Sequence, residues 1–171
     1  MASLIETLIT TLEEESELYE ALTKESMAKT PAIVANDLAK LTEANTREQA
    51  IVDKITAVSH RRDNILTEIA TVLSKDAKTI TVSEVIQTMG KQPEFQHPLI
   101  DIKSRLLKQV ETLRQISIHN RDLLQESLEM TEYSINLIQS LNQAPETANY
   151  SGANYNGSTL GNSNSSFDTK Q

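Results

Sequence analysis

Cysteine and tryptophan are missing from this sequence of 171 residues, and glycine and proline are scarce, with four of each. Without cysteine the chain can form no disulfide, no thiolate metal site and no cysteine nucleophile, which fits a reducing compartment. Aromatic residues make up only 4% of the chain, too few to build a core from large rings. Leu, Ile and Val are left to form the core, which favours thin layers of packed helices.

Positive charge is also scarce. The chain has 16 Lys and Arg but 24 Asp and Glu, which gives a formal net charge of −8. Such a surface repels phosphates and anionic lipids, so nucleic acid and membrane surfaces are poor partners. No apolar run of about 20 residues could span a membrane. Leu4 to Leu12 is spaced as a helix face and not as a signal peptide. We therefore expect no nucleic-acid binding and no membrane insertion.

Residue sets that would support catalysis are absent as well. The three histidines, His60, His97 and His119, have no partners at metal-ligand spacing. The sequence contains no glycine-rich phosphate loop and no serine elbow. We predict that the protein is not an enzyme and has no cofactor and no metal site, so its function must lie in what it binds.

Helical periodicity is what the chain does have. Apolar residues at a spacing of three and four predict three long helices, the second from Pro31 to Ser74 and the last from Pro98 to about Gln143. Both prolines are expected to start helices, because proline lacks the amide hydrogen that a helix interior needs. Thr81 and Glu84 form a capping box at the start of a short helix, which lies between the second and the last long helix. The predicted fold class is all-α, an elongated antiparallel helical bundle or coiled coil of three long helices plus one short helix.

Polar residues interrupt the apolar seam of the second helix at Asn45, Glu48, Ser59 and Arg62. Two explanations are open at this point. The bundle is loosely packed there and these groups meet water, or Glu48 or Arg62 is buried and pairs across helices, which would fix the register.

The last helix becomes apolar on more than one side after Asn120. This surplus is either buried by the short helix or by a second copy of the chain, or it is an exposed face that takes an amphipathic helix from a partner. After Gln143 the composition turns to Asn, Ser, Thr and Gly, which cannot bury enough surface to offset chain entropy. We predict a helical domain of residues 1–143 and a disordered polar tail of residues 144–171.

Several stretches occur in an order that is similar to that of a known family. The most specific runs from Asn120 to Leu137, with the sequence NRDLLQESLEMTEYSINL. Weaker ones are the KTPAIV corner, the REQ and HRRDNI stretches of the second helix, and a tyrosine-glycine tail that ends in FDTK. Together they resemble the FlgN-type flagellar export chaperones over nearly the whole chain.

The resemblance implies a cytoplasmic chaperone of hook-associated proteins, which form the hook-filament junction. Such a chaperone binds the client's C-terminal helical region, keeps the client unassembled and delivers it to the export gate. In the family the client is held by the C-terminal part of the chaperone. This part corresponds here to the second half of the last helix, with the candidate client-binding residues Leu123, Leu124, Leu128, Met130, Tyr133, Ile135, Leu137, Ile138 and Leu141.

A family tyrosine shortly after the last helix contributes to docking on the export gate. Tyr150 and Tyr155 both match that position, and Tyr150 is favoured because it lies closer to the helix. The alternative function is a structural coiled-coil scaffold or homo-oligomeric adaptor. In that case the apolar surplus would join copies of the chain. For the chaperone we expect no more than a weak homo-oligomer.

Overall fold

The computed structural model describes residues 2–143, which form four helices and their connections. Helix α1 is Ala2–Val34, α2 is Leu38–Leu73, α3 is Val82–Thr88 and α4 is Pro93–Gln143. The predicted all-α fold of three long helices and one short helix is confirmed. The chain divides into two units, Met1–Ser134 and Ile135–Gln171. Of the second unit only residues 135–143 are described, so the predicted tail with Tyr150 and Tyr155 lies outside the described residues.

Helices α1 and α2 form an antiparallel hairpin. Arg61 of α2 pairs with Glu14 near the start of α1 at 2.8 Å. Ser26, further along α1, donates to Glu48 near the start of α2 at 2.5 Å. Partner numbers therefore fall along α2 as they rise along α1, as an antiparallel pair requires.

Helix α4 runs in the same direction as α1. The Ser16 hydroxyl donates to Gln109 Oε1 at 2.8 Å, a separation of 93 residues. The Thr30 hydroxyl donates to Asn120 Oδ1 at 2.6 Å, a separation of 90 residues. Because the separation stays nearly constant, α1 and α4 are parallel and α2 is antiparallel to both. The three long helices thus form an up-down-up bundle.

The apolar core lies where α1 begins, α2 ends and α4 begins, and α3 packs over this end. Thr81 and Glu84 form the predicted capping box, in which each accepts the other's amide hydrogen at 3.3 Å. A helix as short as α3 is not stable alone, and the fully buried Val85 anchors it to the core. The buried apolar cluster consists of Ile5, Leu8, Leu12, Ile65, Leu66, Ile69, Val85, Met89, Leu99 and Ile102.

The prediction that Pro31 and Pro98 start new helices is wrong. Helix α1 continues through Pro31 to Val34, and α4 begins at Pro93, so that Pro98 lies in its second turn. Each internal proline forfeits one hydrogen bond to the preceding turn. The residues just beyond them, Ile33 and Leu99, are buried, and only a continuous helix carries those side chains to the interior. Burial therefore outweighs the local cost of the proline.

The turn that was expected at Pro31 is made by capping groups five and six residues further on. Asn36 adopts the left-handed conformation with φ of 53° and donates its amide hydrogen to the carbonyl of Ile33 at 3.0 Å, while the amide of Asp37 donates to Ala32 at 2.9 Å. These two bonds are a Schellman motif, which ends α1. The Asp37 carboxylate then caps α2 by accepting from the Lys40 amide at 3.0 Å, a bond that lowers the pKa of Asp37.

Polar residues of the α2 seam pair across the bundle, as the second of the two explanations held. Arg62 donates to both carboxylate oxygens of Glu15 at 2.7 and 2.8 Å, and Ser59 donates to the same carboxylate at 3.1 Å. Glu15 is only 2% exposed. Burial by itself would lower the pKa of Arg62, but the charge and hydrogen bonds of Glu15, together with those of Asp63, outweigh burial and raise the pKa of Arg62.

Glu48 makes a second such layer nearer the hairpin turn. One of its carboxylate oxygens accepts from Ser26 and the other from Lys29, both at 2.5 Å. Asn45 also accepts from Lys29 at 3.2 Å. The seam therefore has an apolar core at one end and, along the rest, polar layers between buried apolar residues such as Ile55 and Val58. The polar layers fix the register of α1 against α2.

Replacing Arg62 by Ala is expected to destabilise the protein by about 3 to 5 kcal/mol, because the buried Glu15 carboxylate would lose its counter-charge. The neighbouring Arg61→Ala is the matched control. It breaks only the solvent-exposed pair with Glu14 and should cost at most about 1 kcal/mol. Urea unfolding followed by helical circular dichroism measures both. Equal losses for the two arginines would contradict the layer's proposed role.

Candidate partner-binding face

Helix α4 is buried along its first half only. Its buried side chains are Leu99, Ile102 and Asn120. Between Ile102 and Asn120 the apolar residues of α4 are at most half-buried, and these half-buried residues are Leu106, Leu113, Ile116 and Ile118. The side chains of α4 therefore become less buried with distance from the apolar core.

Asn120 fastens the middle of α4 to α1. Its amide nitrogen donates to the backbone carbonyl of Ser26 at 2.7 Å, and its amide oxygen accepts from Thr30 at 2.6 Å. Two helical turns further on, the Ser127 hydroxyl donates to the side-chain oxygen of Asn36 in the hairpin turn. In the sequence, Asn120 and Ser127 are recognisable only as polar interruptions of the apolar seam of α4. Their partners could not be read from the chain because they lie about 90 residues away.

Beyond Ser127, α4 extends past the end of the hairpin. The offset of 91 residues between Asn36 and Ser127 places Val34, the last residue of α1, level with about residue 125 of α4. Every residue from Leu128 to Ser134 is exposed. Within the first unit, this segment of α4 therefore has no helix alongside it.

Five of the predicted client-binding residues lie in the first unit, and we call them the α4 apolar face. Two of them are half-buried at the edge of the bundle and three are exposed by 66% to 69%. An exposed fraction this high is unusual for such large apolar side chains grouped on one helix. The α4 apolar face consists of Leu123, Leu124, Leu128, Met130 and Tyr133.

The other four predicted residues belong to the second unit. Ile135, Leu137, Ile138 and Leu141 lie on the last turns of α4, and all four are exposed. The structure thus leaves seven of the nine predicted side chains open to solvent, counting Leu128, Met130 and Tyr133 with these four.

Comparison with known protein families identifies the family of this chain. A family model described as FlgN protein matches residues 1–155. The chain belongs to the FlgN family. Comparisons with curated proteins and with solved structures find no match. FlgN proteins are flagellar export chaperones, so the family predicted from the sequence is confirmed.

The match to the FlgN family reaches beyond the described helices. It includes the α4 apolar face, the end of α4, and both candidate tail tyrosines, Tyr150 and Tyr155, whereas Phe167 lies outside it. The whole bundle, and not a single motif, therefore carries the family relationship.

The FlgN bundle also contains a cleft that the sequence did not predict. It has a volume of about 330 Å³ and opens between α1, α2 and α4. Leu22, Val52 and Leu113 form apolar walls, Glu48 and Asn120 belong to its polar part, and the cleft ends at Leu124 of the α4 apolar face. The hairpin and α4 are therefore incompletely packed on the stretch that leads up to the exposed face.

Other kinds of site find no support in residues 2–143 of this FlgN chain. That range contains no group of three or more His, Asp or Glu side chains arranged to hold a metal ion. None of its helices is long and apolar enough to cross a membrane. The exposed apolar residues of α4 are thus the feature that most needs a functional explanation.

Asn120→Ala is expected to destabilise this FlgN protein by about 1 to 3 kcal/mol, because both cross-helix hydrogen bonds of a buried amide would be lost. His119→Ala, one residue earlier and exposed, should change the stability by no more than about 0.5 kcal/mol. Urea unfolding gives the free energies. In addition, amide hydrogen exchange in residues 113–127 should rise for the Asn120 variant alone. If exchange there is unchanged, Asn120 does not hold α4 in place.

Proposed function

We propose that this chain binds the C-terminal helical region of a hook-associated protein, keeps that client unassembled in the cytoplasm and delivers it to the flagellar export gate. The observation that carries the proposal is the α4 apolar face. It is exposed beyond the end of the hairpin in a chain whose family consists of export chaperones.

The physical argument begins with the client. An amphipathic helix that is destined for a filament junction has an apolar stripe, and that stripe would self-associate if it were left in water. Covering it removes apolar area from water at roughly 25 cal/mol per Å², from which the cost of association must be subtracted. Helix-in-groove recognition of this kind depends on a few apolar anchors.

The side chains of the α4 apolar face suit that task. Leu128, Met130 and Tyr133 project from a regular helix whose hydrogen bonds are already made, so binding does not require this part of the backbone to fold. Met130 is unbranched and adapts to an irregular partner surface. Tyr133 offers a rigid ring with a polar tip, which is typical of interface anchors.

We propose that the four exposed residues of the second unit also bind the client. Ile135, Leu137, Ile138 and Leu141 lie within seven residues near the end of α4. Release of the client requires no hydrolysis by this chain, in which we predict no nucleotide site.

Leu128→Asp should weaken binding of a purified C-terminal helical segment of a hook-associated protein at least tenfold, or about 1.4 kcal/mol, because a charge would be buried against the client's apolar stripe. Leu107→Asp is the matched control, since Leu107 is an exposed leucine of α4 that lies far from the face. Titration calorimetry measures affinity and circular dichroism confirms that both variants stay helical.

Unchanged binding by the Leu128 variant, or an equal loss for Leu107→Asp, would contradict the proposed client site. Leu124→Asp is a less clean test, because Leu124 is half-buried at the cleft and the substitution would also disturb the bundle.

We further propose that Tyr150 or Tyr155 docks on the export gate. Removing residues 144–171 should leave client affinity unchanged and reduce client secretion from flagellated cells. Tyr150→Ala and Tyr155→Ala then identify the tyrosine, with Phe167→Ala as the control. Full secretion by the truncated chain would remove the role that we assign to residues 144–171.

The alternative function is a scaffold in which the α4 apolar face joins two copies of the chain. Light scattering distinguishes the two functions. A tight dimer that does not exchange for client would favour the scaffold, whereas a monomer or weak homo-oligomer that forms a complex with the client supports the chaperone.

A further inference from the structure

On α4 beyond Arg121, which borders Leu124 of the α4 apolar face at the cleft, the charged residues all have the same sign. From Asp122 to Gln143 the chain contains four acidic residues and no Lys, Arg or His. All four acids, Asp122, Glu126, Glu129 and Glu132, are exposed and lie in the first unit with the face. The inference that follows rests on the proposed function and concerns the chemistry of the client.

Two of the acids lie at the edges of the part of the face formed by Leu123, Leu124, Leu128 and Met130, while Tyr133 lies on the acidic side of the helix between Glu126 and Glu129. Residues three or four apart are neighbours on a helix. Glu126 is therefore next to Leu123 and Met130 on one edge, while Glu132 is next to Leu128 on the other. At about 100° per residue, Glu126 and Glu132 are about 120° apart on the polar side of α4. A helix lying on the apolar side would thus have a carboxylate along each of its flanks.

These carboxylates are not neutralised by the chain itself. Asp122 pairs only with its sequence neighbour Arg121, at 3.2 Å and in solvent. Glu129 accepts a hydrogen bond from Gln125 at 3.2 Å. Across residues 2–143, neither Glu126, Glu129 nor Glu132 forms an ion pair. Elsewhere in the bundle the exposed acids Glu20, Glu43 and Glu111 have a basic partner, whereas others such as Glu13 and Glu17 have none among the described residues.

We propose that the occupant of the α4 apolar face is an amphipathic helix whose apolar stripe is flanked by Lys or Arg. Opposite charges across an interface steer encounter and fix the register, while like charges reject wrong partners. The apolar contact would give affinity, and the flanking acids would select among helices that all have an apolar stripe.

The same charges argue against two other occupants. If two copies of this chain paired through the α4 apolar face, Glu126 and Glu132 of one copy would lie against the same acids of the other. A membrane with anionic headgroups would repel the acidic edges. A basic amphipathic helix from a client is the occupant that the charge pattern favours.

The test uses the full chain and two synthetic helical peptides with an identical apolar stripe, one with Lys and one with Glu at the flanking positions. The natural chain should bind the Lys-flanked peptide roughly tenfold more tightly. Its affinity should fall as sodium chloride is raised from about 50 to about 500 mM, because salt screens exposed charges. The Glu126→Lys/Glu132→Lys variant should reverse the preference between the peptides.

Glu13→Lys/Glu17→Lys is the matched control. Glu13 and Glu17 are two exposed acids of α1, so this variant has the same net charge and should keep the preference of the natural chain. Equal affinity for the two peptides, or loss of the preference in the control, would overturn the inference. So would binding to anionic vesicles or a dimer that excludes both peptides.

The outcomes also separate this inference from the proposed function. If the client segment binds in a manner that depends on Leu128 but shows no charge preference, the function stands and the inference fails. If no hook-associated client segment binds, or if binding ignores Leu128, the proposed function fails as well.

Discussion

The structure depends on one constraint: α4 is longer than the hairpin on which it packs. Parallel contacts at an offset of 90 to 93 residues lock α4 against α1, and α1 ends at Val34. Asn120 and Ser127 make the last cross-helix hydrogen bonds of α4 in the described residues. Leu128, Met130 and Tyr133 follow, and nothing from the hairpin covers their side chains. The exposed face is therefore a result of helix lengths and register.

Polar layers make that register specific. An all-apolar seam between long helices can slip, whereas a buried carboxylate such as Glu15 must meet Arg62 to avoid a large desolvation cost. Glu48 with Lys29, and Asn120 with Thr30, restrict the register in the same way further along. The hydrophobic effect thus holds the core end together, and the polar pairs determine where the hairpin stops relative to α4.

Acidic residues on the surface of α4 add a third effect, which is selectivity for the partner. The chain is acidic overall, but in the bundle many acids are paired with basic residues, whereas Glu126 and Glu132 are not. An apolar face with acidic edges disfavours self-association and anionic membranes. In a chaperone such selectivity matters, because a surface open enough to hold one client helix could otherwise capture many others.

Sequence periodicity was sufficient to predict the fold class, the short helix with its Thr81–Glu84 cap, and the helix segment that has the exposed face. It failed at Pro31 and Pro98, because a local preference against proline was outweighed by burial of Ile33 and Leu99, which only the folded bundle reveals. Partners such as Asn120 for Thr30 were invisible for a similar reason, since helical repeats of similar sequence allow many registers. The end of the hairpin relative to α4, and hence the exposure of Leu128, depended on that register.

The central claim is that the client covers α4 beyond the hairpin. Amide hydrogen exchange of the full chain, with and without the C-terminal helical segment of a hook-associated protein, tests it most directly. The account predicts that exchange slows from Leu123 to Ser134 on binding, while the core segments around Leu8 and Ile69 are unchanged. Slower exchange confined to α1 and α2, with no change between Leu123 and Ser134, would contradict it.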